Sequence, residues 1–253
     1  MLTMLFFITS IAIGYLVGSI CSAVIVCHIF GLPDPRTEGS KNPGATNVMR
    51  LSGKKYGVIV LIADMLKGLL PVLAVKLLGA DAIIASFTCL AAVVGHMYPI
   101  FFNFRGGKGV ATLLGGLLGF HFMLGVMVIA TWLIVANFSR YSSLSSLVSV
   151  TLMPFYSSFA LNSPNAFIPL AIIAALIIYK HHENIARLLK GTESKISLRG
   201  QSKKTKLLNE LQAIGESELN NEVPKKKSPA KKKTNTPKRH AATKATTKKK
   251  TTE

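Results

Sequence analysis

The chain has 253 residues, 49% of them hydrophobic, with a mean hydropathy of +0.41, which excludes an ordinary soluble domain. The formal net charge of +19 is unevenly spread: residues 1–202 hold 15 Lys+Arg against 6 Asp+Glu, whereas residues 203–253 hold 15 against 5. The predicted organisation is an all-α integral membrane domain over residues 1–200, a polar linker over 201–222 that could form a weak amphipathic helix, and a disordered Lys-rich tail over 223–253.

Apolar runs fall near residues 4–30, 56–79, 82–102, 110–138, 143–161 and 166–179. Most have the length that crosses a bilayer as a helix, about 17–25 residues. The first run lacks a basic flank and continues to Phe30, too long for a cleavable signal. The run at 110–138 is too long for one comfortable span, and Gly115, Gly116, Gly119 and His121 interrupt it. Two short spans joined near Phe120 and His121 fit, and a re-entrant hairpin is the alternative. Cys21, Cys27 and Cys89 lie inside apolar runs without metal-type spacing and read as buried thiols. No H-E-x-x-H and no Cys/His cluster occurs, so neither metal nor cofactor is expected.

Charge sets the predicted parity. Arg36, Lys41, Arg50, Lys54 and Lys55 follow the first run, Arg105 and Lys108 the third, Arg140 the disputed one, and Lys180, Arg187 and Lys190 the last. The connections near Gly79–Asp81 and Asn162–Asn165 carry no Lys or Arg. Positive loops stay in the cytoplasm. For the Arg105/Lys108 and Arg140 loops to share a side, the run between them must cross an even number of times. The prediction is seven transmembrane helices, with the N-terminus outside and the C-terminus cytoplasmic.

Three stretches on the predicted cytoplasmic side are unlike plain connectors. Residues 38–50, from Glu38 to Arg50, are rich in glycine and short polar side chains. Residues 95–112 enclose Gly106-Gly107-Lys108-Gly109. Glycines beside a lysine suit an oxyanion, because backbone N–H groups can approach it and the lysine supplies charge. The tetrapeptide is not a P-loop, since the G-x-x-x-x-G-K-[ST] frame is absent. Residues 180–193 read as the last helix continuing into water, with His181 and Asn184 at the spacing of one helix face. Inside the second run, Asp64 and Lys67 are also at helical spacing, and intramembrane charges imply a pair or a site. His96 either bonds a carbonyl in the bundle or belongs to the site. His28 and His121 read as structural.

Ser40 through Arg50, Gly95 through Thr112, and His181-His182-Glu183-Asn184-Ile185 through Gly191-Thr192-Glu193 resemble the three motifs of the bacterial acyl-phosphate:glycerol-3-phosphate acyltransferase family. The resemblance covers residues 5–198. It implies a seven-helix enzyme of the bacterial inner membrane, with its site facing the cytoplasm. Such an enzyme transfers a fatty acyl group from acyl-phosphate to the 1-hydroxyl of sn-glycerol 3-phosphate. Its products are lysophosphatidic acid and phosphate, and the reaction is the first committed step of phospholipid synthesis. Carried over by motif, Ser40, Asn47 and Arg50 contact substrate. Gly106, Gly107, Lys108 and Gly109 hold phosphate, His181 and Asn184 lie beside glycerol 3-phosphate, and Glu193 gives structural support. Two positions depart from the family pattern: His182 stands where arginine is common, and Lys41 where glycine is frequent.

Phosphate is a good leaving group, so little acid catalysis is needed; the candidate bases are His181 and an oxygen of the donor's own phosphate, and the latter is favoured, with His181 orienting the acceptor. A Ser40 acyl-enzyme lacks a nucleophile elbow or a triad. Two readings from other classes are a transporter of a phosphorylated small molecule and a membrane anchor presenting a nucleic-acid-binding tail. Transporters usually show internal repeats and midplane sites, whereas the polar stretches here fall on one side. For the tail, anionic lipid headgroups are the favoured partner and nucleic acid the alternative.

Overall fold

The computed structural model describes residues 1–161 and 164–196; the linker and tail predicted beyond residue 200 lie outside the described residues. Among the described residues the chain is all-helical. In order it forms α1 (Leu2–Gly18), α2 (Ser22–Ile29), α3 (Ala45–Ser52), α4 (Lys54–Leu77), α5 (Ala82–Met97), α6 (Val110–Phe120), α7 (Phe122–Ser139), α8 (Ser142–Ala160), α9 (Phe167–Lys180) and α10 (His182–Leu189). Short 3-10 turns occupy Ile100–Phe102 and Pro164–Ala166.

Leu2–Ile29, Lys54–Leu77, Ala82–Phe102 and Phe122–Ser139 are long and apolar enough to cross a membrane, and Val110–Phe120 and Phe167–Lys180 are shorter apolar helices. On α4, Ile62, Leu66 and Leu70 are exposed at four-residue intervals, 43–56% accessible, which makes a continuous apolar stripe. An exposed stripe of that kind suits lipid rather than water. On the inner side Met97, Leu113, Leu117, Leu124, Met153, Leu170, Ile173 and Ile177 are fully buried.

Where lipid removes the hydrophobic drive between helices, close packing of small residues replaces it. The crossing of α4 and α6 shows this. A Cβ on Gly68 would stand 2.0 Å from the Thr112 carbonyl, and one on Gly115 would stand 1.9 Å from that of Met65.

The disputed run does break at His121. Its backbone is extended (φ −155°, ψ 110°), and its Nδ1 accepts from Leu124 N–H at 3.4 Å to cap α7. The first run, read as continuous over 4–30, is instead interrupted between α1 and α2. Ser19 Oγ donates to the Tyr15 carbonyl, and the Ile20 carbonyl accepts from the Lys67 ammonium at 2.7 Å. The same ammonium lies 2.9 Å from Asp64, so the intramembrane charges are paired. Cys21, Cys27 and Cys89 are buried free thiols.

The packing of the bundle decides where chemistry can assemble. One cavity is lined by the middle of α4 (Leu61, Asp64, Met65) and of α7 (Ile129, Trp132, Leu133), the starts of α6 and α8, His96 near the end of α5 and His181 just past α9. The stretches at 38–50, 105–112 and 181–194 all adjoin that cavity.

Candidate active site

The cavity has a volume of about 630 Å³, within the range that encloses small ligands. Much of its lining is polar: Ser40, Asn47, Arg50, Asp64, His96, Lys108, Gly109, Ser143, His181, Asn184, Arg187 and Glu193. Leu61, Met65, Leu114, Ile129, Trp132 and Leu133 add apolar side chains. Trp132 Nε1 donates to Ser146 Oγ at 3.1 Å, and Ser146 Oγ donates to the Ser142 carbonyl, so the indole is tied to α8 within the lining. The lining offers charged and hydrogen-bonding groups to an anionic head and apolar side chains to a hydrocarbon.

The loop before α3 is built by one side chain. Asn47 is buried, and its Nδ2 donates to the carbonyls of Pro35 at 3.0 Å and Glu38 at 3.1 Å. Its Oδ1 accepts from Ser40 N–H at 3.0 Å. The Asn47 amide thus staples the loop and sets Ser40 at the cavity rim, with both its N–H donors used inside the protein. Asp34 braces the same loop by gripping the Arg36 guanidinium at 2.7 Å, and that side-chain hydrogen bond holds the carboxyl below its ordinary range. Lys41, the position where glycine was expected, has φ +56°, a left-handed conformation that costs a side chain energy. Arg50 reaches the third stretch, its Nη2 donating to the Ser194 carbonyl at 3.1 Å.

The glycine loop divides into two parts. Lys108 and Gly109 line the cavity, whereas Gly106 and Gly107, expected at the phosphate, are not in its lining and pack on His96, which is. A Cβ on Gly106 would stand 2.0 Å from the His96 carbonyl, one on Gly107 would stand 2.2 Å from His96 Nε2, and Gly107 N–H donates to the His96 carbonyl at 3.1 Å. Gly109 (φ +85°) starts α6, and Val110 and Ala111 continue the cavity wall. The first-turn N–H groups of a helix have no intrahelical acceptors and favour an anion. Arg105 is exposed and lies outside the lining.

The third stretch is bent rather than straight, and it turns back to the cavity instead of running on into water. The chain turns at His181 (φ −97°, ψ 8°), whose N–H reaches the carbonyls of both Ile177 and Ile178. The turn buries His181 and Asn184 and leaves His182 exposed beside Tyr179. His181 Nδ1 lies 2.8 Å from the Ile177 carbonyl. A carbonyl can only accept, so Nδ1 carries the proton and Nε2 keeps its lone pair. Burial, reinforced by the Lys108 charge and opposed by the Ile177 bond, pushes the His181 pKa down to about 4, so the ring is neutral at working pH.

Asn184 Oδ1 accepts from the Lys108 ammonium, and Asn184 Nδ2 donates to Glu193 Oε1 at 2.7 Å. Glu193 also accepts from Ser143 Oγ and Arg187 Nε, each at 2.7 Å. Burial opposes the Glu193 charge, but the Ser143, Arg187 and Asn184 hydrogen bonds outweigh it and hold the carboxyl below its usual range. Lys108 is pushed down to about 8, first by burial and then by the Arg187 guanidinium.

Ser143, Arg187 and Trp132 were not picked out as site residues. Arg187 carried a signal, three residues beyond Asn184 and six beyond His181. Ser143 sits in a serine-rich helix start, where capping is the ordinary explanation. Nothing local marked Trp132.

An apolar helical bundle with a basic cavity lined by both polar and apolar side chains defines a multi-pass membrane protein that handles an amphiphilic or anionic small molecule. Residues 8–191 match the family model described as glycerol-3-phosphate acyltransferase. The glycerol-3-phosphate acyltransferase of Legionella pneumophila (strain Lens) is 62% identical over 196 residues, covering 78% of this chain and 71% of the relative. That of Coxiella burnetii (strain Dugway 5J108-111) is 50% identical over 192 residues, covering 76% and 99%. The crystal structure of PlsY (YgiH), an integral membrane glycerol 3-phosphate acyltransferase, in its glycerol 3-phosphate form superposes with a TM-score of 0.71 at 42% identity. That match covers 76% of this chain and 96% of the other. The lysophosphatidic acid form gives 0.70 and 41%, covering 76% and 95%. The chain belongs to the glycerol-3-phosphate acyltransferase family.

Proposed function

We propose that the chain transfers a fatty acyl group from an acyl phosphate to the 1-hydroxyl of sn-glycerol 3-phosphate, releasing 1-acyl-glycerol 3-phosphate and inorganic phosphate. Family membership makes it an acyltransferase. The observation that carries the finer reading is the mixed lining of the cavity. Lys108, Arg50, Arg187 and the α6 N-terminus offer positive charge for two phosphates, while the apolar side chains suit an acyl chain.

The glycerol oxygen attacks the acyl carbon, the bond between that carbon and the phosphate oxygen breaks, and the hydroxyl proton passes to a phosphate oxygen. Lys108 and Arg50 steady the charge on the leaving phosphate. Neutral His181 accepts a hydrogen bond from the attacking hydroxyl through Nε2 and orients it. A ring with a pKa of about 4 holds a proton poorly, which supports the donor's phosphate as base. Glu193 and Ser143 fix Asn184, and Asn184 fixes Lys108, so little reorganisation is needed when substrate arrives.

In the membrane the reading is seven crossings in the bacterial inner membrane, N-terminus outside, site and C-terminus in the cytoplasm, as the Lys and Arg distribution suggests. The Lys-rich C-terminal segment would add attraction to anionic headgroups, about 1 kcal/mol per basic residue near the surface.

The test is turnover by purified protein with glycerol 3-phosphate and either palmitoyl phosphate or palmitoyl-CoA. Phosphate release and product with palmitoyl phosphate alone is expected. Product from the CoA ester alone would sink the donor assignment.

A further inference from the structure

Asp64, Lys67 and His96 form a buried polar cluster at the edge of the cavity, with Asp64 and His96 in its lining and Lys67 outside it, and the reaction leaves the work of the cluster unassigned. Each is at most 6% exposed, inside helices packed among apolar side chains. Charges at that depth are costly and are retained for a reason. Lys67 is anchored twice, to Asp64 at 2.9 Å and to the Ile20 carbonyl at 2.7 Å. Asp64 Oδ1 in turn faces His96 Nδ1 at 3.5 Å. The other face of the ring and its own carbonyl carry the glycine loop, as the close approaches of Gly106 and Gly107 describe. Lys108 follows directly.

We propose that Asp64 and His96 are positioning residues for the glycine loop. The Lys67–Asp64 pair fixes the His96 ring, the ring is the template on which Gly106 and Gly107 are moulded, and the moulded loop sets where Lys108 enters the cavity. This extends the phosphate-binding role given above to the Lys108 loop. The two glycines, on this account, are required by His96 and not by the phosphate. A side chain at Gly107 has no room because the imidazole occupies it.

The experiment is a double-mutant cycle between His96→Ala and Gly107→Ala in the full chain, purified in detergent, with calorimetric affinity for inorganic phosphate as readout. Phosphate is chosen so that a failed acyl-phosphate assignment does not affect the result, and Lys108→Ala is the control that places the binding at this loop. Each single variant is expected to weaken phosphate about 10-fold. The double variant should lose no more than about 3-fold beyond either single one, because the methyl group that Gly107→Ala adds fits the space the ring has left. A product of the two effects, about 100-fold, overturns the template role. So does His96→Ala that lowers the melting temperature with phosphate affinity unchanged, the result of a merely structural residue. Wild-type protein that binds no phosphate, or Lys108→Ala that binds it normally, overturns both this inference and the loop's phosphate role. If His96→Ala does not fold, Asp64→Asn combined with Lys67→Met, which removes both charges together, must weaken phosphate about 10-fold; unchanged affinity there refutes the positioning role.

Discussion

Asn184 joins Lys108 to Glu193, with its carbonyl accepting from the Lys108 ammonium and its amide donating to Glu193 Oε1 at 2.7 Å. One side chain therefore connects the cationic part of the cavity lining to a buried carboxylate. Because Ser143 and Arg187 share that carboxylate, three side chains from α8 and α10 are fixed at one point.

Glu193→Gln should loosen all three. The amide keeps one acceptor oxygen and turns the other position into a donor facing Ser143, Asn184 or Arg187. Hydrogen bonds to a buried charge are worth about 1.5–3 kcal/mol. A loss of about 2 kcal/mol is expected in detergent-solubilised protein, with kcat/KM about 10-fold lower. An unchanged melting curve would refute this bracing role.

Lys108→Ala should cost about 100-fold or more in kcat/KM while the protein stays folded, since it removes charge preorganised around a phosphate. Steady-state rates on both substrates, with a melting curve alongside, check this. Wild-type turnover would remove Lys108 from the mechanism.

The pH profile follows from the same residue. With its pKa held down to about 8, Lys108 in the free protein is charged below that pH and loses its charge as pH rises through it. kcat/KM should therefore fall as pH rises above about 8, well before an ordinary lysine would titrate. A flat profile to about pH 10 would contradict this.

The two adjacent histidines should separate cleanly. His181→Ala should lower kcat/KM about 100-fold, in the range of a lost proton-handling or orienting group. His182→Ala, at an exposed position, should stay within about 2-fold. The reverse ranking would place the wrong histidine in the site.

Lys41→Gly should stabilise. The position has φ +56°, where an L side chain is strained by about 1–2 kcal/mol. Glycine removes that strain but gains freedom in the unfolded chain. A net gain of about 0.5–1 kcal/mol is expected from thermal unfolding, and a drop in stability would contradict it.

Much of this site was legible because its residues cluster in three short stretches. His181 and Asn184 are three positions apart, and the glycine pair flags its own loop. The break at His121 was announced by the glycines before it. What stayed hidden depends on tertiary approach. Gly106 and Gly107 look like phosphate ligands in the sequence, and only the tertiary structure shows how closely they pack on His96. Ser143 and Glu193 are 50 positions apart, so no local pattern could pair them. The interruption after Gly18 was masked by apolar residues on both sides, because hydropathy registers burial and not the carbonyl that Lys67 satisfies.

The central claim is that the glycerol hydroxyl attacks the acyl carbon and displaces phosphate. The most direct measurement uses glycerol 3-phosphate labelled with heavy oxygen at its 1-hydroxyl, with unlabelled palmitoyl phosphate as donor. The account predicts that all the label stays in the ester oxygen of the lysophosphatidic acid and none enters the released phosphate. Label in the inorganic phosphate, or no product from palmitoyl phosphate at all, would contradict it.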